Sequence, residues 1–166
     1  MKVPTLFTAM LCAVATSPAS AHDIIRHGNP NVPIASSVLV PEGADLLFVS
    51  GMLADVADPA APAGSIERLG DTATQAKSVL DKLAKELAVS GFTMADVVKM
   101  NVYLVGDPRK GGAMDLEGLM KAYLQFFGLR AQEKVLPGRT TVQVAGLPVP
   151  GALIEIEVVA ARHAAH

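Results

Sequence analysis

Tryptophan is absent from this chain, tyrosine occurs twice, and aromatic residues make up 4% of the 166 positions. A surface that stacks on unpaired bases therefore has little to work with. Positive charge is also scarce, with 14 Lys and Arg against 16 Asp and Glu and a net charge of −2. That balance argues against a phosphate-binding surface as the protein's main business, and no nucleic-acid partner is expected. Cysteine appears once, as Cys12, inside a segment that reads as a leader, so the mature chain has neither a thiol mechanism nor a disulfide. The histidines, His22, His27, His163 and His166, lie near the two ends without metal-ligand spacing or a partnering carboxylate or cysteine pattern. They read as solvated tails, and no metal site is expected. There is no internal repeat, P-loop or dinucleotide fingerprint, and no cofactor is implied.

One long hydrophobic run is present. Leu6 to Ala15 is apolar or small apart from Thr8, follows the positive Lys2, and precedes an A-x-A pattern at Ala19-Ser20-Ala21. This is the form of a secretory signal peptide over residues 1–21, giving a periplasmic or secreted mature protein that starts near His22. Two alternatives fit the segment less well. The run is about half the roughly 20 residues that span a bilayer, so a membrane anchor fits poorly and no membrane association is expected after cleavage. Cys12 as an acylated lipoprotein residue is disfavoured by the bulky Leu11 before it. Cleavage removes one of the basic residues and none of the acidic ones, which deepens the negative balance.

The remainder fits one domain long enough to bury a core. Residues 22–32 read as a loose arm, 33–162 as the domain and 163–166 as a short tail. Ala35–Val40 and Leu46–Ser50 are apolar runs around the turn cluster Pro41-Glu42-Gly43-Ala44, a hairpin pattern. Asp55–Gly70 is aperiodic and reads as a long loop. A helix starts near Asp71 or Thr72, with Gln75 placed as in a capping box, and shows Ala76, Val79, Leu80, Leu83 and Leu87 on one face before Gly91 stops it. Val97–Val105 alternates as a strand. After the Pro/Gly-rich Asp107–Gly112, the residues Leu116, Leu119, Met120, Tyr123 and Phe127 repeat at helical spacing up to Gly128, a stripe that reads as core or subunit contact. Thr141–Ala145 and Leu153–Ala160 alternate as two strands, with Leu147–Gly151 supplying the reversal. The resulting order is β-β-α-β-α-β-β, an α+β domain with two helices on one face of a mixed sheet. Arg139 and Glu155 would then lie near each other at one end of that sheet.

The run P-G-R-T-T-V-Q-V-A-G-L-P from Pro137 onward, followed by I-E-I-E from Ile154, closely resembles the signature of the RidA (YjgF) family. The resemblance extends to V-S-G at Val49–Gly51, D-T-A-T-Q-A from Asp71, the stretch from Gly91 to Leu104, and Y-L-Q-F-F at Tyr123–Phe127, covering about residues 33–162. It implies the chorismate-mutase-like fold, a barrel-cored homotrimer with sites between subunits, and hydrolysis of reactive 2-imino and enamine acids to 2-keto acids and ammonia.

Arg139 stands between a turn-forming Pro137-Gly138 and a β-branched strand, a rigid base for a fork that can take both oxygens of a carboxylate. From the residues alone it could equally be a surface arginine or a partner of Glu155 or Glu157. The resemblance implies that Arg139 holds the carboxylate of a small acid and that Glu155 positions water, with Glu157 the weaker candidate. It further implies Ser50, Gly51, Thr141, Met120 and Tyr123 as substrate contacts, the Gly51 backbone seating the substrate. Several positions depart from the family's active members: Ser37 falls where a tyrosine is expected, Met52 for glutamine, Met120 for asparagine and Thr141 for cysteine. The pocket should therefore be more apolar. A non-catalytic carboxylate-binding trimer is the alternative function, and an endoribonuclease is a third that the charge balance disfavours.

Overall fold

The computed structural model describes residues 23–128 and 135–163. The expected leader at 1–21, most of the connector Leu129–Leu136, and the tail beyond His163 lie outside the described residues.

The main sheet has four strands: β3 (Ala44–Leu53), β4 (Val97–Val105), β5 (Gly138–Val144) and β6 (Ile154–His163), in the order β3-β6-β4-β5. β6 runs antiparallel to β3 and β4, whereas β4 and β5 are parallel. A separate two-stranded sheet joins β1 (Ile25–His27) to β2 (Ser37–Leu39). Among the described residues there are three α-helices, α1 (Ile66–Leu69), α2 (Thr72–Val89) and α3 (Leu116–Phe127), besides two single 3-10 turns. The fold is thus α+β with a mixed sheet, as the sequence implied.

The alternation in β4 decides where the core sits. Met100, Val102 and Leu104 are fully buried, and their cross-strand partners Val158, Ile156 and Ile154 on β6 share that face. Against it pack Ala76, Val79, Leu80, Leu83 and Leu87 of α2, together with Leu119, Ala122, Tyr123 and Phe127 of α3. Each such leucine contributes about 1.5–3 kcal/mol of transfer free energy. The helices begin on carboxylates: Asp71 accepts from the Thr74 amide at 2.8 Å and Asp115 from the Gly118 amide at 3.0 Å. Among the described residues no helix covers the opposite sheet face, and Leu46, Phe48 and Val142 there are 51%, 73% and 41% exposed.

Several expectations are corrected. The arm 22–32 contains β1, and His163 of the expected tail closes β6 by pairing with Ala44. Ser37–Leu39 pairs with β1 and not with β3, so Pro41–Gly43 carries the chain between two sheets and is not a hairpin turn. β5 and β6 are likewise not neighbours, because β4 lies between them and the 145–153 segment crosses its end. The long loop before α2 contains the single turn α1. Gln75 does not close a capping box. It is fully buried, donates from Nε2 to Gly70 O at 2.9 Å and Gly151 O at 3.0 Å, and accepts from the Leu153 amide at 2.8 Å. Three otherwise orphaned backbone groups from two distant segments are satisfied by one side chain.

Candidate functional site

The residues singled out by the sequence fall into two groups on opposite faces of the sheet. β5 pairs Arg139 with Met100, which faces the helices, whereas β4 pairs Tyr103 with Glu155 on the open face. The two positions are separated by three residues along β4 and by two strand spacings, about 10 Å in each direction at ~3.3 Å per residue and ~4.8 Å per strand. Within one chain Arg139 and Glu155 therefore do not meet, contrary to the expectation of a shared sheet end. The reason is that β4 separates their strands and reverses the direction between them.

On the helix side, Arg139 is half-buried at the edge strand. Its guanidinium carbon lies 4.3 Å from the centroid of the Tyr123 ring, and Nη1 donates to Met120 Sδ at 3.4 Å. Neither Glu155 nor Glu157 pairs with it, and among the described residues no carboxylate does. Burial lowers the Arg139 guanidinium from its ordinary value while Tyr123 opposes that shift. Burial also pushes the Tyr123 phenol up to about 12, Arg139 acting the other way. Both groups thus keep their neutral-pH forms, a cation against a neutral ring. The Tyr123 hydroxyl donates to Pro33 O at 2.8 Å, and its ring stacks on Phe127 with centroids 4.9 Å apart. Thr141 shares this sheet face two residues after Arg139, and its buried hydroxyl has no hydrogen-bond partner among the described residues. An unmet buried hydroxyl costs about 1–3 kcal/mol.

On the open side, β3 is bulged between Val49 and Met52, and the Glu155 side chain lies over the Cα of Gly51. A Cβ at Gly51 would overlap Glu155 Oε1 and sit 2.8 Å from its Cδ, so only glycine accommodates the carboxylate there. Ser50 borders a cavity of about 190 Å³ together with Phe48, Lys99, Asn101 and Glu157. Met52, by contrast, packs on the core, and Ser37 stands in the small sheet opposite His27. Of the four departures, Met120 alone touches the arginine.

Sequence reasoning missed the surroundings of Glu157. Asn101 Nδ2 and the Tyr103 hydroxyl both donate to its Oε1, at 2.8 and 2.9 Å. These two bonds, Asn101's the larger effect, lower the Glu157 carboxyl; the same contact raises the Tyr103 phenol. The signal available was parity: Lys99, Asn101 and Tyr103 alternate with the apolar residues of β4, and Glu157 and Glu155 do so in β6.

The family described as Endoribonuclease L-PSP matches residues 33–162. The 3-aminoacrylate deaminase RutC of Acinetobacter baylyi is 30% identical over 137 residues, 82% of this chain and 94% of that protein. Among solved structures, YyfB of Yersinia pestis, described as a protein of unknown function of the conserved Rid protein family, matches with a TM-score of 0.60 at 25% identity, covering 83% of this chain and 96% of its own. A Mycobacterium tuberculosis member of the YjgF/YER057c/UK114 family matches with a TM-score of 0.51 at 25% identity, covering 83% and 97%.

Proposed function

This chain belongs to the Endoribonuclease L-PSP family, which includes the RidA (YjgF) proteins, and from that membership we propose that it hydrolyses 2-imino and enamine acids to 2-keto acids and ammonia. The observation that carries the reading is Arg139: a half-buried guanidinium, stacked on Tyr123, without a carboxylate partner among the described residues. Buried charges are ordinarily paired, so a cation left in this state suits an anionic ligand. The similarity to a 3-aminoacrylate deaminase gives that ligand its class.

Hydrolysis then proceeds in two steps. Water adds to the imine carbon, its oxygen bonding to carbon while the π pair moves to nitrogen; Glu155 takes the proton that water releases and passes one to nitrogen. The carbinolamine collapses as its hydroxyl gives its proton to Glu155 and the oxygen lone pair reforms C=O; Glu155 hands that proton to nitrogen as the C–N bond breaks, and ammonia departs. Arg139 holds the substrate carboxylate throughout. Because Arg139 and Glu155 occupy opposite faces of one sheet, the complete site is assembled from two copies of the chain, Ser50, Gly51 and Glu155 from one and Arg139, Thr141 and Met120 from the next. The exposed Leu46, Phe48 and Val142 are the apolar face that a homotrimer would cover. The leader-like pattern of residues 1–21 supports a further proposal, that this chemistry takes place in the periplasm or outside the cell.

The test is ammonia release from imines generated in situ by an amino-acid oxidase, measured with the mature protein, Glu155→Gln and Arg139→Ala. Acceleration by the parent and its loss in both variants supports the reading. No acceleration by the parent, with ligand affinity kept in Glu155→Gln, would make the protein a carboxylate-binding trimer; the Met120 sulfur on Arg139, where a polar side chain is expected, favours that second reading.

A further inference from the structure

Tyr123 was expected to touch substrate, but its geometry describes a different part. Its ring is fully buried, one face against Phe127, and Arg139 lies over the ring. Its hydroxyl is committed to Pro33 O. Nothing of Tyr123 is left to bind a ligand. The segment that receives this hydroxyl also fixes the backbone leading into Arg139: the Ala35 amide donates to Pro137 O at 3.0 Å, and Ala35 forms a parallel bridge with Gly138. A three-residue strap, Pro33-Ile34-Ala35, thus references both the Cα end of the arginine and the ring beneath its guanidinium.

We propose that Tyr123, anchored by the Pro33–Ala35 strap, is a positioning residue that presents the Nε–Nη2 edge of Arg139 to the substrate carboxylate. The inference rests on Arg139 being the carboxylate anchor in the reading above. The stacked ring fixes the plane of the guanidinium, since a planar cation over an aromatic face keeps its N–H groups in plane and pointing outward. Nη1 is taken up by the Met120 sulfur. The edge formed by Nε and Nη2 is left as the side on which two parallel N–H···O bonds can form. An unsupported arginine would sample many rotamers and lose that freedom on binding, so the platform acts as preorganisation and its removal should weaken binding by about tenfold.

The experiment uses the mature protein with pyruvate as the carboxylate probe, read by isothermal titration and by the Arg139 side-chain resonances in ¹⁵N-labelled protein. In the parent, the Arg139 Hε signal should lie upfield through the Tyr123 ring current and move downfield as pyruvate binds. Tyr123→Phe keeps the ring and should bind within about threefold of the parent; Tyr123→Leu loses it and should bind about tenfold more weakly, with KM raised and kcat within about twofold. In an Arg139→Ala background, Tyr123→Leu should add no further loss. The proposal is overturned if the parent's Hε signal lies at its ordinary position or ignores pyruvate, if folded Tyr123→Leu binds like the parent, or if its loss persists without Arg139. Should Tyr123→Leu not fold, the parent's resonance still decides. Pyruvate moving Hε in a protein that releases no ammonia from imines would support the positioning role and sink the deaminase reading alone.

Discussion

Replacing Gly51 by alanine tests the open-face half of the site directly. The new Cβ would overlap Glu155 Oε1 and stand 2.8 Å from Cδ and 3.0 Å from Cγ, where ordinary contact begins at 3.4 Å. Cδ must therefore retreat by about 0.6 Å, and the carboxylate oxygen by on the order of 1 Å, a displacement of the size that costs about 100-fold in a positioned reaction. By transition-state arithmetic this is about 2.7 kcal/mol on the barrier. Stability should change little. Gly51 is not among the residues with positive φ, so alanine fits the backbone and gains about 0.4–1 kcal/mol through the unfolded chain. Moving Glu155 off its preferred rotamer returns about 0.5–1.5 kcal/mol of cost. Thermal melts and ammonia release from oxidase-generated imines, run on the same preparation, separate the two effects. A folded Gly51→Ala protein that deaminates within about threefold of the parent's rate would show that Glu155 does not act from this position.

Arg139→Ala should weaken pyruvate binding by about 1.5–3 kcal/mol, measured by titration, with lysine rescuing part of it; because the guanidinium packs on a buried ring, the stability cost should reach about 1–2 kcal/mol, and unchanged affinity would refute the anchor. Gln75→Leu strips Gly70 O, Gly151 O and the Leu153 amide of their partner and should cost about 3–5 kcal/mol in urea unfolding at about 1–3 kcal/mol per unmet buried group; a loss below about 1 kcal/mol would mean that these groups find other partners. Glu157 and Asp107 both have lowered pKa values in the folded chain, from 4.5 and 3.8, through Asn101 and Tyr103 in one case and Arg109 in the other. A carboxylate lowered on folding contributes stability above its ordinary value that is lost as pH falls through the lowered one, so the melting temperature should drop in acid below those values. Glu157→Gln should flatten that drop, and identical acid profiles for parent and variant would contradict the role of the Asn101 and Tyr103 bonds.

Local pattern made the long elements legible. The limits of Val97–Val105 and the stops of both long helices at glycines followed from parity, helical spacing and chain breakers, because those signals depend on residues close in sequence. Parity also told which residues of a strand share a face, but not which strand lies beside which. Reading Thr141–Ala145 and Leu153–Ala160 as adjacent strands assumed that neighbours in sequence pair; β4 intervenes, and its registers set Arg139 beside Met100 and Glu155 beside Tyr103, on opposite faces. β1 was missed because three residues carry too little alternation to outweigh nearby Gly28 and Pro30. Gln75 was misread for a related reason: its spacing from Thr72 is local, whereas its partners at Gly151 and Leu153 are visible only in the fold. In the site, the identities of Arg139, Met120 and Tyr123 were legible, while the stacking that joins them required the register of β5.

The pairing of β3 with β6 has a consequence for how the chain matures. β3 is made long before β6, yet Asp45 pairs with Arg162 and Ala44 with His163. Until Ile154–His163 is free, the chain has no neighbour for β3 and lacks one flank of β4 as well, since β6 lies between them. Contacts of such sequence separation form late and slowly, after α2 has had time to coil on its own. The same topology makes the C-terminal end unforgiving: truncation there removes a central strand, and with it the partner of every residue that β3 contributes to the sheet.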